Sequence, residues 1–250
     1  MAYSRLAYIY DVLMEDAPYD EWQQFVEHFI YELSPEGNKL IDLGCGTGKM
    51  SIRFAKAGYE VTGIDVSEDM LSFAQSITME QGANVHFIHQ DLRKLEVVNK
   101  FDIAVSLCDV INYITEEEEL YNVFQRVAGA LNHNGLFIFD VHSQIYLEQT
   151  MTNQVFTEIY DDISYIWICS EGEKTGQVVH DLTFFLQTDE KNLYERFDET
   201  HYQRSFSIEV YEKLLDRAGF QVHQVCGDFK TDPLKKDDKA NRIFFVCLKR

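Results

Sequence analysis

The stretch Leu40-Ile41-Asp42-Leu43-Gly44-Cys45-Gly46-Thr47-Gly48 carries the most chemical information in the chain. It follows an apolar run of strand length and opens a segment with helical spacing. Glycines at such a turn permit positive φ and let a ligand lie against the backbone. Two cofactor classes use a turn of this kind. A dinucleotide fingerprint reads G-x-G-x-x-G/A, but Lys49 stands where Gly or Ala is needed and Gly48 comes one place early. Asp42, at the strand end, would sit badly beside a pyrophosphate and well beside an ammonium group. The turn therefore points away from a nicotinamide dehydrogenase.

Other polar residues fall at strand ends. Asp65 lies 23 residues beyond Asp42 and closes the second strand, where an acid can bond two ribose hydroxyls or simply cap the next helix. Asp91-Leu92 ends the third strand, and Leu107-Cys108-Asp109-Val110-Ile111-Asn112-Tyr113 follows the fourth. His142 follows the fifth, at the carboxyl edge where open α/β sheets bind ligands; a site role and a structural one both remain open. His201 sits in an alternating strand and faces either a pocket or solvent, and Glu199 is a further candidate base. Trp167, Phe184 and Phe185 read as core of their own segment.

Periodicity supplies the elements that position these residues. Residues 1–35 read as helical, with Trp22, Phe25, Val26, Phe29, Ile30 and Leu33 at three- and four-residue steps and a stop at Ser34-Pro35. Strands at 39–44, 59–65, 84–91, 101–107 and 135–141 then alternate with helices at 50–58, 67–82 and from Thr115 to about Leu131. Ser67 is the expected N-cap of one helix, and Thr115 with Glu118 the expected capping box of another. That rhythm implies right-handed βαβ units and a parallel sheet covered on both faces. From about 155 to 204 the apolar residues alternate in long segments punctuated by Gly172, Gly176 and Asp189-Glu190, the pattern of antiparallel hairpins. A helix over 208–220 and two strands around FQVHQV and RIFFVCL close the chain, joined by a polar loop from Lys230 to Lys239. The expected fold class is α/β: a doubly wound, seven-stranded, mostly parallel sheet with an inserted small antiparallel sheet. Its parts are an N-terminal helical lid (1–35), a core (36–144 plus 208–250) and an insert (145–207) covering the substrate.

The pattern Asp42-x-Gly44-x-Gly46-x-Gly48 resembles motif I of the class I S-adenosylmethionine-dependent methyltransferases, whose core is Rossmann-like. The resemblance implies that Gly44, Cys45, Gly46 and Gly48 wrap the methionine part of the cofactor while Asp42 helps hold its ammonium group. It implies that Asp65 bonds the ribose, Val66 and Met70 pack along the adenine, and Asp91-Leu92 contact the adenine amino end. Leu107 and Asn112 fall where this family places residues between cofactor and substrate. The segment departs from the [DN]-P-P-[YF] of amino-methylating DNA enzymes and from the Pro-Cys of cytosine enzymes, since no proline lies between Pro35 and Pro233. A looser similarity to aminosugar N,N-dimethyltransferases and glycine N-methyltransferases rests on Leu6-Ala7-Tyr8-Ile9-Tyr10-Asp11, the insert, and His201-Tyr202 before the Tyr211-Glu212-Lys213 helix. By that similarity Tyr10 reaches over the cofactor and the insert roofs the substrate. Tyr10, His142 and His201 are then the candidates for positioning or base roles. The reading is methyl transfer to a small-molecule acceptor, nitrogen favoured, with S-adenosylhomocysteine as product. An O- or carboxyl-methyltransferase, or a regulatory protein that binds the cofactor without turnover, are the alternatives.

Composition bounds the partners. The 250 residues carry 22 Lys plus Arg against 42 Asp plus Glu, a formal charge of −20. Such a surface repels phosphate backbones and anionic lipid, arguing against nucleic-acid and membrane binding. The run Glu116–Glu119 is read as a solvated first helical turn. Five scattered cysteines without a C-x-x-C pair suggest neither a disulfide framework nor a zinc site. No signal-like or membrane-spanning run is present, so a reduced, cytoplasmic protein is expected. Alternating edge strands in the insert permit a homodimer.

Overall fold

The computed structural model describes residues 9–33, 37–98, 100–188, 193–235 and 238–250. Seven strands form one sheet: β1 (Lys39–Leu43), β2 (Glu60–Asp65), β3 (Val85–His89), β4 (Phe101–Ser106), β5 (Leu131–His142), β10 (Phe220–Gly227) and β11 (Arg242–Lys249). Their spatial order is β3-β2-β1-β4-β5-β11-β10. The first five run parallel, while β11 is antiparallel to both β5 and β10. The order reverses direction between β1 and β4, and that switch point opens a crevice at the carboxyl ends of the strands.

The central strands read as nearly continuous apolar runs because both faces are buried. Along β1, Leu40 packs on one face and Ile41 on the other; along β5, Ile138 lies between Phe137 and Phe139 in the same alternation. One face is covered by α4 (Glu117–Ala130) and α5 (Ile208–Ala218), through Phe124, Val127, Tyr211 and Leu215. The other is covered by α1 (Tyr19–Leu33) and α2 (Lys49–Lys56), through Trp22, Phe25, Phe29 and Phe54. Each fully buried Phe or Leu contributes on the order of 1.5–3 kcal/mol. The helix α3 (Glu68–Glu80) starts at the expected N-cap, Ser67 Oγ accepting from Met70 N at 3.3 Å.

Four antiparallel strands follow β5: β6 (Val155–Ile159), β7 (Ile163–Glu171), β8 (Gln177–Gln187) and β9 (Tyr194–Arg204), in sequential order. They carry their own apolar clusters, one of them joining Ile9 to Ile163, Phe184 and Leu186, the other holding Trp167 against Cys169 and Val178.

Several local expectations change. The N-terminal helical zone divides into a helical turn over 9–13 and α1, interrupted ahead of Pro18. Leu6-Ala7-Tyr8, the stop at Ser34-Pro35, the punctuation at Asp189-Glu190 and part of the 230–239 loop lie outside the described residues. Thr115 and Glu118 form no capping box. Glu116 is the N-cap without a side-chain bond, Arg204 takes the Thr115 carbonyl, and Glu118 pairs with Arg217 of α5 at 3.1 Å. Packing between α4 and α5 claims the carboxylate that the box needed. The acidic run itself is ion-paired at the surface, Glu116 with Lys174 and Glu119 with Arg93.

Candidate active site

The turn after β1 is held open by three glycines at φ +81° (Gly44), +53° (Gly46) and +79° (Gly48). Gly44 N and Cys45 N both donate to Ile64 O, at 2.7 and 2.9 Å, which fastens the turn to the end of β2. A Cβ on Gly44 would stand 2.4 Å from Val110 Cγ1, so only glycine fits there. A Cβ on Gly46 meets no atom within 4 Å; the backbone there borders open space that a ligand can share. A cavity of about 40 Å³ lies beside it, lined by Tyr10, Asp42, Gly46, Lys49, Leu107 and Cys108 among others.

Asp42 is buried and accepts from Ser51 Oγ at 2.6 Å. Burial pushes its carboxyl up to about 6, against the Ser51 hydrogen bond and with the help of nearby Asp65. Asp65 accepts from Gly46 N and Ser67 N, both at 2.8 Å, so it ties the turn to the start of α3. Burial raises its carboxyl as well. Over the cavity, the helical turn 9–13 is pinned by Asp11, which accepts from Thr47 Oγ1 at 2.6 Å and pairs with Lys49 at 2.7 Å. That clasp sets Tyr10 in the cavity wall, and burial raises its phenol.

The remaining sequence candidates are dispersed. Val66 is exposed, and Met70 half-buried at the first turn of α3. Asp91 gives both carboxylate oxygens to Arg93, whose hydrogen bond holds it below the usual carboxylate range. Leu92 is drawn into the core beside Ile64 and Phe101 rather than into the cavity wall. Asn112 is fully buried, but its amide is spent on the chain itself: Oδ1 accepts from His142 N at 2.8 Å and Nδ2 donates to Arg204 O at 3.0 Å. It fastens β5 to the inserted sheet. His201 stands opposite His180 in the β8–β9 register with its ring edge on Tyr113, and Glu199 lies half-buried opposite Leu182.

His142 joins a polar cluster that periodicity did not reveal. At the end of β4, Cys108 and Asp109 both take positive φ, +61° and +54°. Buried Asp140 holds them there, accepting from Cys108 N at 2.9 Å, Asp109 N at 3.1 Å and Trp22 Nε1 at 3.1 Å, and from Arg242 Nη1. Asp109 in turn faces Arg242 Nη2 at 3.0 Å, Gln203 Nε2 at 2.9 Å and His142 Nε2 at 3.3 Å. Burial alone would raise the Asp109 carboxyl; His142, then Arg242 and Gln203, hold it well below its ordinary value. Burial and Asp109 raise Asp140, against Arg242. The one available signal was an acid inside the apolar strand GLFIFDV, because a buried charge requires partners. Nearby, Trp167 Nε1 donates to His180 Nδ1 at 3.1 Å, and burial pushes that imidazole down to about 4.

A doubly wound sheet with a glycine turn at its switch point and a buried acid beside it defines a nucleoside-cofactor-binding enzyme. Residues 34–201 match a family model described as "Methyltransferase domain", and the chain belongs to that family. A Bacillus subtilis protein named "Putative methyltransferase YqeM" is 40% identical over 100% of this chain and 98% of its own. The crystal structure of an S-adenosylmethionine-dependent methyltransferase from Clostridium acetobutylicum superposes with a TM-score of 0.87, at 27% identity over 100% of this chain and 99% of that one. S-adenosylmethionine-bound CalS10, an amino pentose methyltransferase from Micromonospora echinaspora, shares the fold at a TM-score of 0.74, with 16% identity, 97% of this chain and 96% of that one covered. The protein is an S-adenosylmethionine-dependent methyltransferase, as the motif resemblance implied. The bare backbone at Gly46 and the destabilised carboxylate of Asp42 fit a ligand with an ammonium group. Among the described residues no helix is long and apolar enough to cross a membrane.

Proposed function

We propose that this methyltransferase acts on a nitrogen of a small, non-polyanionic acceptor. The observation that carries this reading is the charge count behind the cavity wall. Asp140 receives four donors and Asp109 three, so both carboxylates act as acceptors only, against the single guanidinium of Arg242. With a neutral His142 ring this leaves one negative charge in surplus, buried next to Cys108 and Val110, which line the cavity. Such a site favours a cationic acceptor over a neutral or anionic one. The net charge of −20 disfavours nucleic acid in the same way, and a fold neighbour acts on an amino pentose.

In this reading Asp42 receives the cofactor's ammonium, and Gly44, Cys45, Gly46 and Gly48 carry its methionine portion. Asp65 has lone pairs left for ribose hydroxyls, Val66, Met70 and Asp91 border the adenine, and Leu107 backs the reacting end. Leu92 and Asn112 brace the site from behind. Bound there, S-adenosylmethionine supplies a sulfonium methyl group. Tyr10 closes the cavity against water, which keeps the reaction dry and aligned. His142 and His201 face the acceptor side.

A cytoplasmic setting is supported by the free thiols of Cys45, Cys108, Cys169, Cys226 and Cys247. A homodimer through the insert is supported by Val155, Ile159, Ile166 and Ile168, exposed together at the β6–β7 edge; sedimentation as a monomer would exclude it. The main test measures S-adenosylhomocysteine release from matched sets of amines, alcohols and carboxylates. Turnover is expected with amines; turnover confined to alcohols or carboxylates refutes the nitrogen reading.

A further inference from the structure

One nitrogen of His142 has no visible purpose. Nε2 lies 3.3 Å from Asp109 Oδ1, while Nδ1 is buried without a hydrogen-bond partner. Asp109 accepts from every group around it, so the proton of a neutral His142 ring resides on Nε2 and Nδ1 is left with a bare lone pair. The ring cannot turn freely. Tyr146 stacks on it at 4.8 Å, and its backbone N donates to Asn112 Oδ1. Asp109 is fixed as firmly, by Arg242 and Gln203 and by the Asp140 bonds that hold its positive φ. A buried base, oriented through its far nitrogen by an immobilised carboxylate, is the arrangement of a general base. The carboxylate that orients it stands at the cofactor cavity: Cys108 and Val110 line that cavity, and Asp109 lies between them in the chain, with His142 behind it. Among the described residues two histidine nitrogens are buried without a partner, His142 Nδ1 and His180 Nε2, and of these rings His142 is the one whose other nitrogen faces a carboxylate.

We propose that His142 accepts a proton from the methyl acceptor at Nδ1, and that Asp109 is its positioning residue. The inference rests on the reading of the acceptor as an amine, which arrives protonated. The ammonium donates N–H to Nδ1; that N–H bond breaks, its electron pair remains on the amine nitrogen, and the new bond is Nδ1–H. The freed lone pair is the one that methylation uses. The imidazolium so formed is stabilised by Asp109 and later returns its proton to solvent. Around the ring, the charged and titratable groups are Asp109 after β4, Asp140 and Tyr146 beside it on its own strand and turn, Arg242 opposite on β11, and His180 on β8.

The test uses the full chain with S-adenosylhomocysteine bound. Nitrogen NMR of the histidine rings is expected to show His142 protonated at Nε2 and bare at Nδ1 in the neutral form, with the preference lost in Asp109→Asn. A ring protonated on Nδ1 throughout about pH 6–9 overturns the proposal. His142→Gln should keep its thermal shift with S-adenosylhomocysteine, which shows that it folds, and lose about 100-fold or more in turnover of the best amine. Its rate should then follow the free-amine fraction, climbing about tenfold per pH unit where the parent enzyme has levelled off. An unchanged rate and pH profile overturn the proposal. Failure of the amine reading looks different: turnover appears only with hydroxyl acceptors, yet still collapses in His142→Gln, because a hydroxyl must also lose its proton.

Discussion

Replacing Asp42 with asparagine should stabilise the empty protein and cripple its cofactor binding at the same time. Asp42 is 2% exposed, and burial lifts its carboxyl from 3.8 to about 6. A carboxyl raised in the folded state contributes stability that is fully present below pH 3.8 and lost as pH rises through about 6. At about 1.4 kcal/mol per pH unit, the gap amounts to about 3 kcal/mol above pH 7 and under about 1 kcal/mol near pH 4. The asparagine keeps the shape and can accept from Ser51, but carries no charge to desolvate. For a chain of this length each kcal/mol moves Tm by roughly 2–4 °C, so the variant should melt about 6 °C or more higher at pH 8. The advantage should nearly vanish at about pH 4, where the native carboxyl is largely protonated in the folded state. Loss of the charge-assisted bond to the cofactor's ammonium, on the order of 1.5–3 kcal/mol, weakens binding by roughly 10–100-fold. Calorimetry across pH, with and without S-adenosylhomocysteine, reads both effects. A variant no more stable than the parent at pH 8, or a difference independent of pH, refutes the claim that Asp42 is held ionised at the expense of the fold.

Three further outcomes follow from the geometry. Gly44→Ala combines a positive φ of +81° with a Cβ 2.4 Å from Val110 Cγ1, so about 1–3 kcal/mol of stability and measurable cofactor binding should both be lost, as read by melting with and without ligand. Arg242→Met leaves Asp109 and Asp140 buried without their cation and should cost about 3–5 kcal/mol, read by urea denaturation; a loss below about 1 kcal/mol would mean the carboxylates are protonated instead. Asp11→Asn removes the charge that joins the 9–13 turn to Thr47 and Lys49, and stopped-flow release of S-adenosylhomocysteine should quicken several-fold with little change in Tm.

What could be read from sequence differs between the two ends of this site. The cofactor end is local: Asp42 and the three glycines are near neighbours in the chain, and φ above zero at Gly44, Gly46 and Gly48 is a property that residue type alone can announce. The alternation of β7 and β8 was legible for the same reason, since a period of two is carried by neighbours. The polar cluster behind the cavity wall is assembled from afar. Asp140 meets Trp22 across 118 residues and Arg242 across 102, and Gln203 meets Asp109 across 94. Hydrophobic periodicity ranks faces but cannot pair polar groups on different elements. Even a local motif yields to such contacts, as Glu118 shows by taking Arg217 over the backbone of its own helix. The acids therefore divide by what burial demands of them. Asp42 is buried short of donors, with Ser51 against its own desolvation and the Asp65 charge, and so is open to a ligand's cation. Asp140 is buried among four donors and serves to hold Asp109, which holds His142. A carboxylate short of partners marks where a ligand can be received; one saturated with them marks what holds its neighbours in place.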